Sequence, residues 1–529
     1  MLIVGVSILF AILVSSPYIA GVLQQAAGTT FAGVVHFPPD YYYYLSYMAQ
    51  GKLRWLTSLN INTSEVTTPV FYHWFYVLSG RVFATFGISN IIGYQLLILG
   101  LTILLLFVSY RLIRAAVPSR TGSTIAYILF LASNAWPYPV HTAGGWTLHY
   151  YTSWYNYGEP FVRFSSIPHN LLAQSVLVVT LLVLARLARI PHSRYLFTYS
   201  FFLVSAFLLA SIQTPLVLVV LVTYGIFWVK DIVSSRDPKM FLRAALSSQV
   251  FPALILLVAG SVPYMVYLRT LFQHPPYSTL ISWEASHQLR LTLLQFFRVN
   301  GPVMLLGIAG LPVLLSARTK VREIIAVCTL VSWGIFLSRI PVYISILNVR
   351  FLSVVPTLTM ACSAAVLIEA IAKRVSLRMQ TPVRIGITII VLALTLPATT
   401  QQIIARATFE PINAYYFLPN TVLDAYKHVE KLIQPQETCL VVWPFQESFA
   451  GLTGRRAFTA NEFSTINYEV KDQQAAAFFS DQTPMDQKVQ ILTSNAISCV
   501  VTFSFITNLP ATLLPIYTNG NITIYKVTK

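Results

Sequence analysis

Long apolar blocks fill the first three quarters of the chain. Blocks of about 18 to 25 apolar residues can cross a hydrocarbon core of roughly 30 Å as helices. Hydropathy predicts eleven such spans, at residues 2–24, 91–112, 122–140, 167–188, 196–211, 212–229, 245–268, 302–316, 324–338, 351–372 and 385–402. The pattern therefore predicts an α-helical polytopic membrane protein with about 11 transmembrane helices.

Two segments near the start of the chain need a separate interpretation. Within residues 69–87, His73, Trp74 and Arg81 would lie at membrane depth, where an arginine costs roughly 2.5 to 3.5 kcal/mol on insertion scales. We interpret this segment as amphipathic or re-entrant. Residues 2–24 lack the charged n-region of a signal peptide and are interpreted as the first span.

The pattern changes after residue 402. Helical spacing of apolar residues at 420–433 precedes a strand-like run at 439–443, and a second helix-then-strand pattern follows at 486–503. A turn at 517–521 leads into a last strand at 522–527. The predicted organisation is a membrane domain, 1–402, with outer loops 25–68, 141–166 and 269–290, and a C-terminal extracytoplasmic α/β domain, 403–529.

Composition and charge support a membrane protein. Of the 529 residues, 56% are hydrophobic and 10% are charged, whereas soluble proteins carry about 25% charged residues. The net charge of +17 lies in residues 1–402, because residues 403–529 hold nine basic and ten acidic residues. If the first span runs from inside to outside, seventeen basic residues lie on the inner side and nine on the outer side. We interpret them as topology signals and contacts to anionic membrane lipid, with no nucleic-acid partner.

Acidic residues are rare before residue 403, and half of the eight map to outer loops. These four are Asp40, Glu65, Glu159 and Glu284. Seven histidines map there too, at positions 36, 73, 141, 149, 169, 274 and 287. Such residues beside apolar spans are functional-site candidates, although any water-exposed face needs polar residues. They could supply ligands to a divalent metal, but no spacing requires one, so no cofactor is assigned.

The first outer loop carries the strongest local signal, Pro38-Pro39-Asp40 followed by four tyrosines and a helix that Gly51 closes. One interpretation is that Asp40 is the helix N-cap and the tyrosines form an interfacial belt. The other is that Asp40 takes a proton from an acceptor hydroxyl. Aromatic residues beside it would then contact a sugar and a prenyl chain. The candidate substrate-binding residues in and after this loop are Tyr43, Tyr44, Glu65 and His73.

The second outer loop and the tenth span supply cationic candidates. Arg163 could bind a phosphate with two nitrogens, or form an internal ion pair with Glu159. Pro168 suits the first turn of the next helix, whose N-terminus, beside His169, would favour an anion. Arg350, at the outer end of the tenth span, is either a snorkelling anchor or a phosphate ligand.

The four cysteines give one structural expectation. Cys439 and Cys499 each begin a predicted strand of the C-terminal domain, so they could form a disulfide if those strands are neighbours.

The long first outer loop with Asp40, the arginines of later loops and the C-terminal domain together resemble the GT-C superfamily of integral membrane glycosyltransferases. The stretch from Glu447 to Glu462, which contains Thr453-Gly454-Arg455-Arg456-Ala457-Phe458, resembles one found in the outer domains of many uncharacterised prokaryotic members. The resemblance implies inverting transfer of a sugar from a polyprenyl-phosphate carrier to a glycan, lipid or protein acceptor. It implies Asp40 as general base, and Arg163 and Arg350 as ligands of the leaving lipid phosphate.

Departures from the family patterns leave the acceptor class and metal requirement open. Tyr41 follows Asp40 where the protein mannosyltransferase branch has an Asp-Glu pair, and the Trp-Trp-Asp signature of oligosaccharyltransferases is missing. The alternatives are a transporter or flippase for a lipid-linked or anionic substrate, a surface-glycan polymerase or ligase, and a receptor-like module. Only the Gln213-Thr214-Pro215 break favours a transporter.

Overall fold

The computed structural model describes residues 2–35, 37–142, 144–151, 157–165, 167–187, 190–233, 246, 248–410 and 413–528. Its α-helices are α1 Leu2–Val14, α2 Ser16–Leu23, α3 Pro38–Gln50, α4 Trp74–Thr85, α5 Asn90–Ala116, α6 Arg120–Ala132, α7 Pro160–Phe164, α8 Pro168–Arg186, α9 Tyr195–Val233, α10 Val250–Leu271, α11 Tyr277–Ser286, α12 Leu293–Ser316, α13 Lys320–Leu337, α14 Ile340–Tyr343, α15 Val354–Ala372, α16 Leu377–Ala407, α17 Asn420–Leu432, α18 Gln446–Thr453, α19 Tyr468–Phe479 and α20 Met485–Ser494. Its strands are β1 Thr29–Phe31, β2 Pro137–Thr142, β3 Gly145–Tyr150, β4 Phe417–Pro419, β5 Thr438–Val441, β6 Arg456–Ala457, β7 Ile497–Phe503, β8 Leu513–Thr518 and β9 Ile522–Val527.

Each of the eleven predicted spans contains a helix, but not every helix is long and apolar enough to cross a membrane. Within the described residues, seven helices are long and apolar enough to cross a membrane. The number is eight if the bent pair α1 and α2 forms one span. Helix α6 has 13 residues, and α13 begins with three charged residues, Lys320, Arg322 and Glu323. The chain is a multi-pass membrane protein, and the number eleven remains a prediction.

Helix α9 contains two of the predicted spans. Its backbone is non-helical at Gln213, where φ is −148° and ψ is 75°, and Pro215 follows. The rings of Phe202 and Tyr224 lie 5.7 Å apart, whereas 22 residues of straight helix would separate them by about 33 Å. The chain therefore reverses direction near Gln213. The break is a turn between two antiparallel helices, which removes the feature that favoured a transporter.

The segment at residues 69–87 contains only a short helix. Helix α4 has 12 residues, which is about 18 Å of helix and too short for a membrane span. This length agrees with the interpretation that the segment is not a full crossing.

The chain divides into two compact units, and the division between them does not fall at the predicted boundary, residue 402. The helical unit contains residues 1–15, 98–271 and 281–405, and the mixed unit contains residues 16–97, 272–280 and 406–529. The first outer loop thus belongs with the C-terminal region. Backbone pairing explains this result: β1 pairs with β4, and Thr63 bridges to Thr459.

The helical unit owes its close packing to small residues. Helices α12 and α15 meet at Gly307 and Gly310, where an added Cβ would collide with Met360 and with the backbone of Ser363. After α6 ends at Ala132, the chain enters a buried polar junction. There the Asn134 amide donates to Thr399 Oγ1 and Gln402 Oε1 at 3.1 and 2.9 Å.

The mixed unit contains the predicted α/β region. Its five-stranded sheet has the order β6-β5-β7-β9-β8, with parallel pairing among the first three strands and antiparallel pairing of β9 with β7 and β8. Leu440, Phe458, Phe478, Ile491 and Val500 form its core. The predicted helices and strands are confirmed. Strands β6 and β8 and helices α18 and α19 were not predicted.

The parallel neighbours β5 and β7 bring two cysteines together. Cys439 pairs in register with Cys499, their Cα atoms lie 4.5 Å apart, and the two residues form a disulfide. The predicted condition for this bond, that the strands be neighbours, is met.

Candidate functional site

Asp40 lies in the first turn of α3, in the mixed unit. The helix begins at Pro38 after Phe37, which has a left-handed backbone with φ of 45°, and both prolines occupy the first helical positions. One interpretation of the sequence made Asp40 the N-cap, but the N-cap is Phe37. A carboxylate in the first turn is stabilised by the helix dipole, and the half-buried side chain of Asp40 remains partly accessible.

The charge of Asp40 acts on a carboxyl group of the C-terminal region, that of Glu447. Glu447, on α18, is mostly buried. Burial, and after it the negative charges of Glu462 and Asp40, raise the pKa of Glu447 to about 8. At neutral pH this carboxyl is therefore largely protonated. Sequence reasoning missed both glutamates, although they begin and end the stretch that carried the family resemblance in the tail.

Tyr43 and Tyr44 form an aromatic cluster with His73. The His73 ring centroid lies 5.3 Å from that of Tyr43, 5.5 Å from that of Tyr44 and 4.6 Å from that of Tyr47. Tyr47 donates a hydrogen bond to the Tyr43 hydroxyl at 2.8 Å. Burial raises the pKa of both Tyr43 and Tyr47 well above the ordinary tyrosine value. The structure therefore brings Tyr43, Tyr44 and His73 together.

Glu65 has a structural partner. Its carboxylate forms an ion pair with Lys471 and accepts a hydrogen bond from Thr63. Lys471 is buried, and its ammonium also donates to Thr63 Oγ1 at 3.0 Å. Burial opposes ionisation of Glu65, but the hydrogen bonds from Lys471 and Thr63 lower its pKa overall. These contacts fasten the first loop to the C-terminal region and do not support the predicted substrate contact.

Arg163 is fully buried in the helical unit. Its Nη1 donates to the carbonyls of Tyr157 and Gly158, and its Nη2 donates to those of Phe130, Leu131 and Ser133. The last three carbonyls belong to the C-terminal end of α6. The carbonyls of a helix C-terminus lack donors within the helix, so a cation that donates hydrogen bonds to them stabilises the helix. Burial lowers the pKa of Arg163 to about 9, and the charge of Glu159 opposes that shift.

These contacts do not support the phosphate role predicted for Arg163, which stays a prediction. A guanidinium has four N–H groups on its two Nη atoms, and five backbone carbonyls already surround them. Glu159 is also buried, just before α7. The charge of Glu159 acts on Arg163. This interaction agrees with the alternative of an internal ion pair between the two residues.

Arg350 and His169 are the remaining cationic candidates, and both belong to the helical unit. Arg350 lies close enough to His169 for its charge to act on that side chain, and His169 is the second residue of α8. The side chain of Arg350 is 28% exposed and forms an ion pair with Glu284, which is 12% exposed. Arg350 thus lies beside a helix N-terminus, an arrangement that suits a phosphate.

The predicted candidates fall into two groups. Asp40, Tyr43, Tyr44, Glu65 and His73 belong to the mixed unit, and Glu159, Arg163, His169 and Arg350 to the helical unit. Among the described residues, the structure contains no group of three or more His, Cys, Asp or Glu residues that could hold a metal ion.

Comparison with known proteins identifies the fold. In sequence, the chain matches no protein-family model and no curated protein. In structure, it resembles the Archaeoglobus fulgidus oligosaccharyltransferase tethered with an acceptor peptide containing the NVT sequon, with a TM-score of 0.54, 11% identity, and coverage of 95% of this chain and 69% of that one. It also resembles the A. fulgidus oligosaccharyltransferase AglB in complex with an inhibitory peptide and a dolichol-phosphate. The TM-score is 0.53 at 12% identity, and the match covers 95% of this chain and 69% of that one.

A second similar structure matches over nearly the full length of both chains. ArnT from Cupriavidus metallidurans bound to undecaprenyl phosphate gives a TM-score of 0.50 at 12% identity, covering 98% of each chain. These structural neighbours are GT-C glycosyltransferases. The chain has the GT-C fold of integral membrane glycosyltransferases.

Proposed function

We propose that the protein is a membrane glycosyltransferase that moves a sugar from a polyprenyl-phosphate donor to an acceptor on the extracytoplasmic face. The observation that carries this proposal is the partly accessible carboxylate of Asp40 at the start of α3, in a chain with the GT-C fold. Two neighbours of that fold were solved with dolichol-phosphate and undecaprenyl phosphate, which are polyprenyl phosphates.

The proposed reaction is a single displacement at the anomeric carbon. Asp40 takes the proton of the acceptor hydroxyl, whose oxygen forms a bond to the anomeric carbon. The bond from that carbon to the phosphate oxygen breaks at the same time, and the polyprenyl phosphate leaves with the electron pair. Attack from the side opposite the leaving group inverts the anomeric configuration.

The leaving phosphate needs positive charge, and Arg350 with the N-terminal turn of α8 at His169 is the proposed source. A guanidinium binds phosphate oxygens with two nitrogens, and free N–H groups at a helix N-terminus favour anions. The aromatic rings of Tyr43 and Tyr44 are proposed to contact the sugar and the prenyl chain.

Two observations support placing the mixed unit on the extracytoplasmic side. The positive-inside distribution favours that face for the first loop. Disulfides such as that of Cys439 and Cys499 form in oxidising compartments outside the cytoplasm.

Substitution of the proposed base tests the function. Asp40→Asn should reduce sugar transfer by at least 100-fold, because a general base contributes about 10²- to 10⁴-fold, while the protein remains inserted and folded. Transfer is measured with the polyprenyl-phosphate-linked sugars extracted from the producing membranes. Asp424→Asn is the matched control, since Asp424 pairs only with Lys427 among the described ion pairs. Normal transfer by Asp40→Asn would contradict the proposal.

A further inference from the structure

Helix α18 is held against α3 by close backbone contact. An added Cβ at Gly451 would lie 2.9 Å from the Tyr42 carbonyl oxygen, and one at Gly454 would lie 3.1 Å from the Ala49 Cβ. Gly454 also has a φ of +64°, which favours glycine at the end of a helix. The first turn of α18, which carries Glu447, is thereby fixed beside the start of α3.

The segments around this contact are also fastened to the start of α3. The Asn461 amide donates to the Pro39 carbonyl at 3.4 Å, and the Tyr42 hydroxyl donates to the Tyr415 carbonyl at 2.8 Å. The titratable groups whose charges interact with Glu447 are Asp40, Tyr42, Tyr415, Glu462 and Tyr468. All of these groups are neutral or negative, so none stabilises a carboxylate at Glu447.

The carboxyl of Glu447 has unused hydrogen-bonding capacity. Its Oε2 is buried and has no hydrogen-bond partner among the described residues. A buried polar atom without a partner is unfavourable, and in a binding site such an atom can be satisfied by a ligand. Burial, Glu462 and Asp40 raise the pKa of Glu447 to about 8. At pH 7 the side chain is therefore mainly a neutral acid, which can donate one hydrogen bond.

We propose that Glu447 binds the acceptor, donating a hydrogen bond to one of its oxygens and selecting an uncharged, hydroxyl-rich acceptor. This inference rests on the proposed function, because it needs Asp40 as the base for the same acceptor. A neutral acid beside two carboxylates suits a partner that offers oxygen lone pairs. An anionic acceptor such as a uronic acid would be repelled by Asp40 and Glu462.

The first experiment measures the protonation of Glu447 without any substrate. Infrared spectra of the full-length protein in detergent should contain a protonated-carboxyl band at pH 7 that disappears as the pH rises through about 8. The band should be missing from Glu447→Gln and should disappear at a lower pH in Glu462→Gln, which removes one negative charge. Asp424→Asn should retain the wild-type titration. A wild type without this band, or a Glu447→Gln variant that retains it, would overturn the inference.

The second experiment measures acceptor use. With extracted polyprenyl-phosphate-linked sugars as donors, p-nitrophenyl glucoside should be used at least tenfold better than p-nitrophenyl glucuronide at pH 7. The wild-type KM for the glucoside should rise about tenfold between pH 7 and pH 9, with kcat little changed, as ionisation of a group of pKa about 8 requires. Glu447→Gln should lower kcat/KM a few-fold at pH 7 and remove that rise in KM.

The outcomes separate the two proposals. If Asp40→Asn transfers sugar normally, the proposed function fails. It also fails if neither the wild type nor any variant transfers sugar although the infrared band behaves as expected. If Asp40→Asn is inactive but Glu447→Gln keeps the wild-type pH dependence, or the glucuronide is used as well as the glucoside, only the role of Glu447 fails.

Discussion

The guanidinium of Arg350 forms a two-nitrogen ion pair with the carboxylate of Glu284, whose Oε1 lies 2.7 Å from Nη2 and 2.8 Å from Nε. The other oxygen of Glu284 accepts a hydrogen bond from the backbone N–H of Leu347 at 3.2 Å. The ion pair therefore orients Arg350 from a second segment of the chain.

Arg350→Gln should weaken the binding of undecaprenyl phosphate by at least tenfold, because one charge-assisted contact contributes about 1.5 to 3 kcal/mol. Affinity is measured on the full-length protein in nanodiscs. Arg339→Gln is the control, since Arg339 is exposed. Equal affinity of the wild type and Arg350→Gln would exclude Arg350 as a phosphate ligand.

Arg163→Met should lower the free energy of unfolding by about 3 kcal/mol or more, because five buried carbonyls lose their donor. Arg163→Lys should not restore stability, since an ammonium cannot reproduce the planar donor pattern. Thermal unfolding in detergent provides the measurement, with the exposed Arg194→Met as control. An unchanged melting temperature would show that these hydrogen bonds contribute little.

Cys439→Ser combined with Cys499→Ser should lower the free energy of unfolding by about 2 to 4 kcal/mol, because the disulfide closes a loop of 60 residues. Thiol labelling of the denatured wild type should modify two cysteines before reduction and four after it, since Cys328 and Cys362 are free. Cys328→Ala should retain the disulfide. Labelling of all four cysteines without reduction would contradict disulfide formation and its support for an extracytoplasmic location.

Glu447→Gln should stabilise the protein increasingly as the pH rises. Glutamate ionises near pH 4.5 in the unfolded chain, whereas Glu447 stays protonated in the folded protein up to about pH 8. The unfolded state therefore binds fewer protons across this range, and wild-type stability falls as the pH rises from 4.5 to 8. The melting temperatures of variant and wild type should diverge over that window, while those of Asp424→Asn and wild type should not. A difference independent of pH would contradict the raised pKa.

The two arginines illustrate the limit of sequence reasoning about the site. Arg163 and Arg350 both lie in segments next to apolar helices, and both were predicted to bind phosphate. Arg163 instead satisfies the carbonyls at the end of α6, a segment about 30 residues earlier in the chain. The sequence cannot specify which carbonyls lack partners, because that depends on where the helices end and which loops return to them.

Glu447 was missed for a related reason. In sequence it is one of ten acids in a nearly neutral C-terminal region, and nothing local distinguishes it from Asp424 or Glu469. Only the packing of α18 on α3 buries it beside Asp40, and burial with like charges raises its pKa.

The sequence by itself determined the membrane class, the positions of the helices and most of the α/β region, because apolar periodicity and length directly reflect burial in lipid or in a core. Only the tertiary structure decided that residues 16–97 belong with the C-terminal region, that α9 reverses at Gln213, and that Glu65 and Arg163 have internal partners. These properties depend on contacts between segments far apart in the chain, where backbone pairing and burial determine which polar groups are already satisfied.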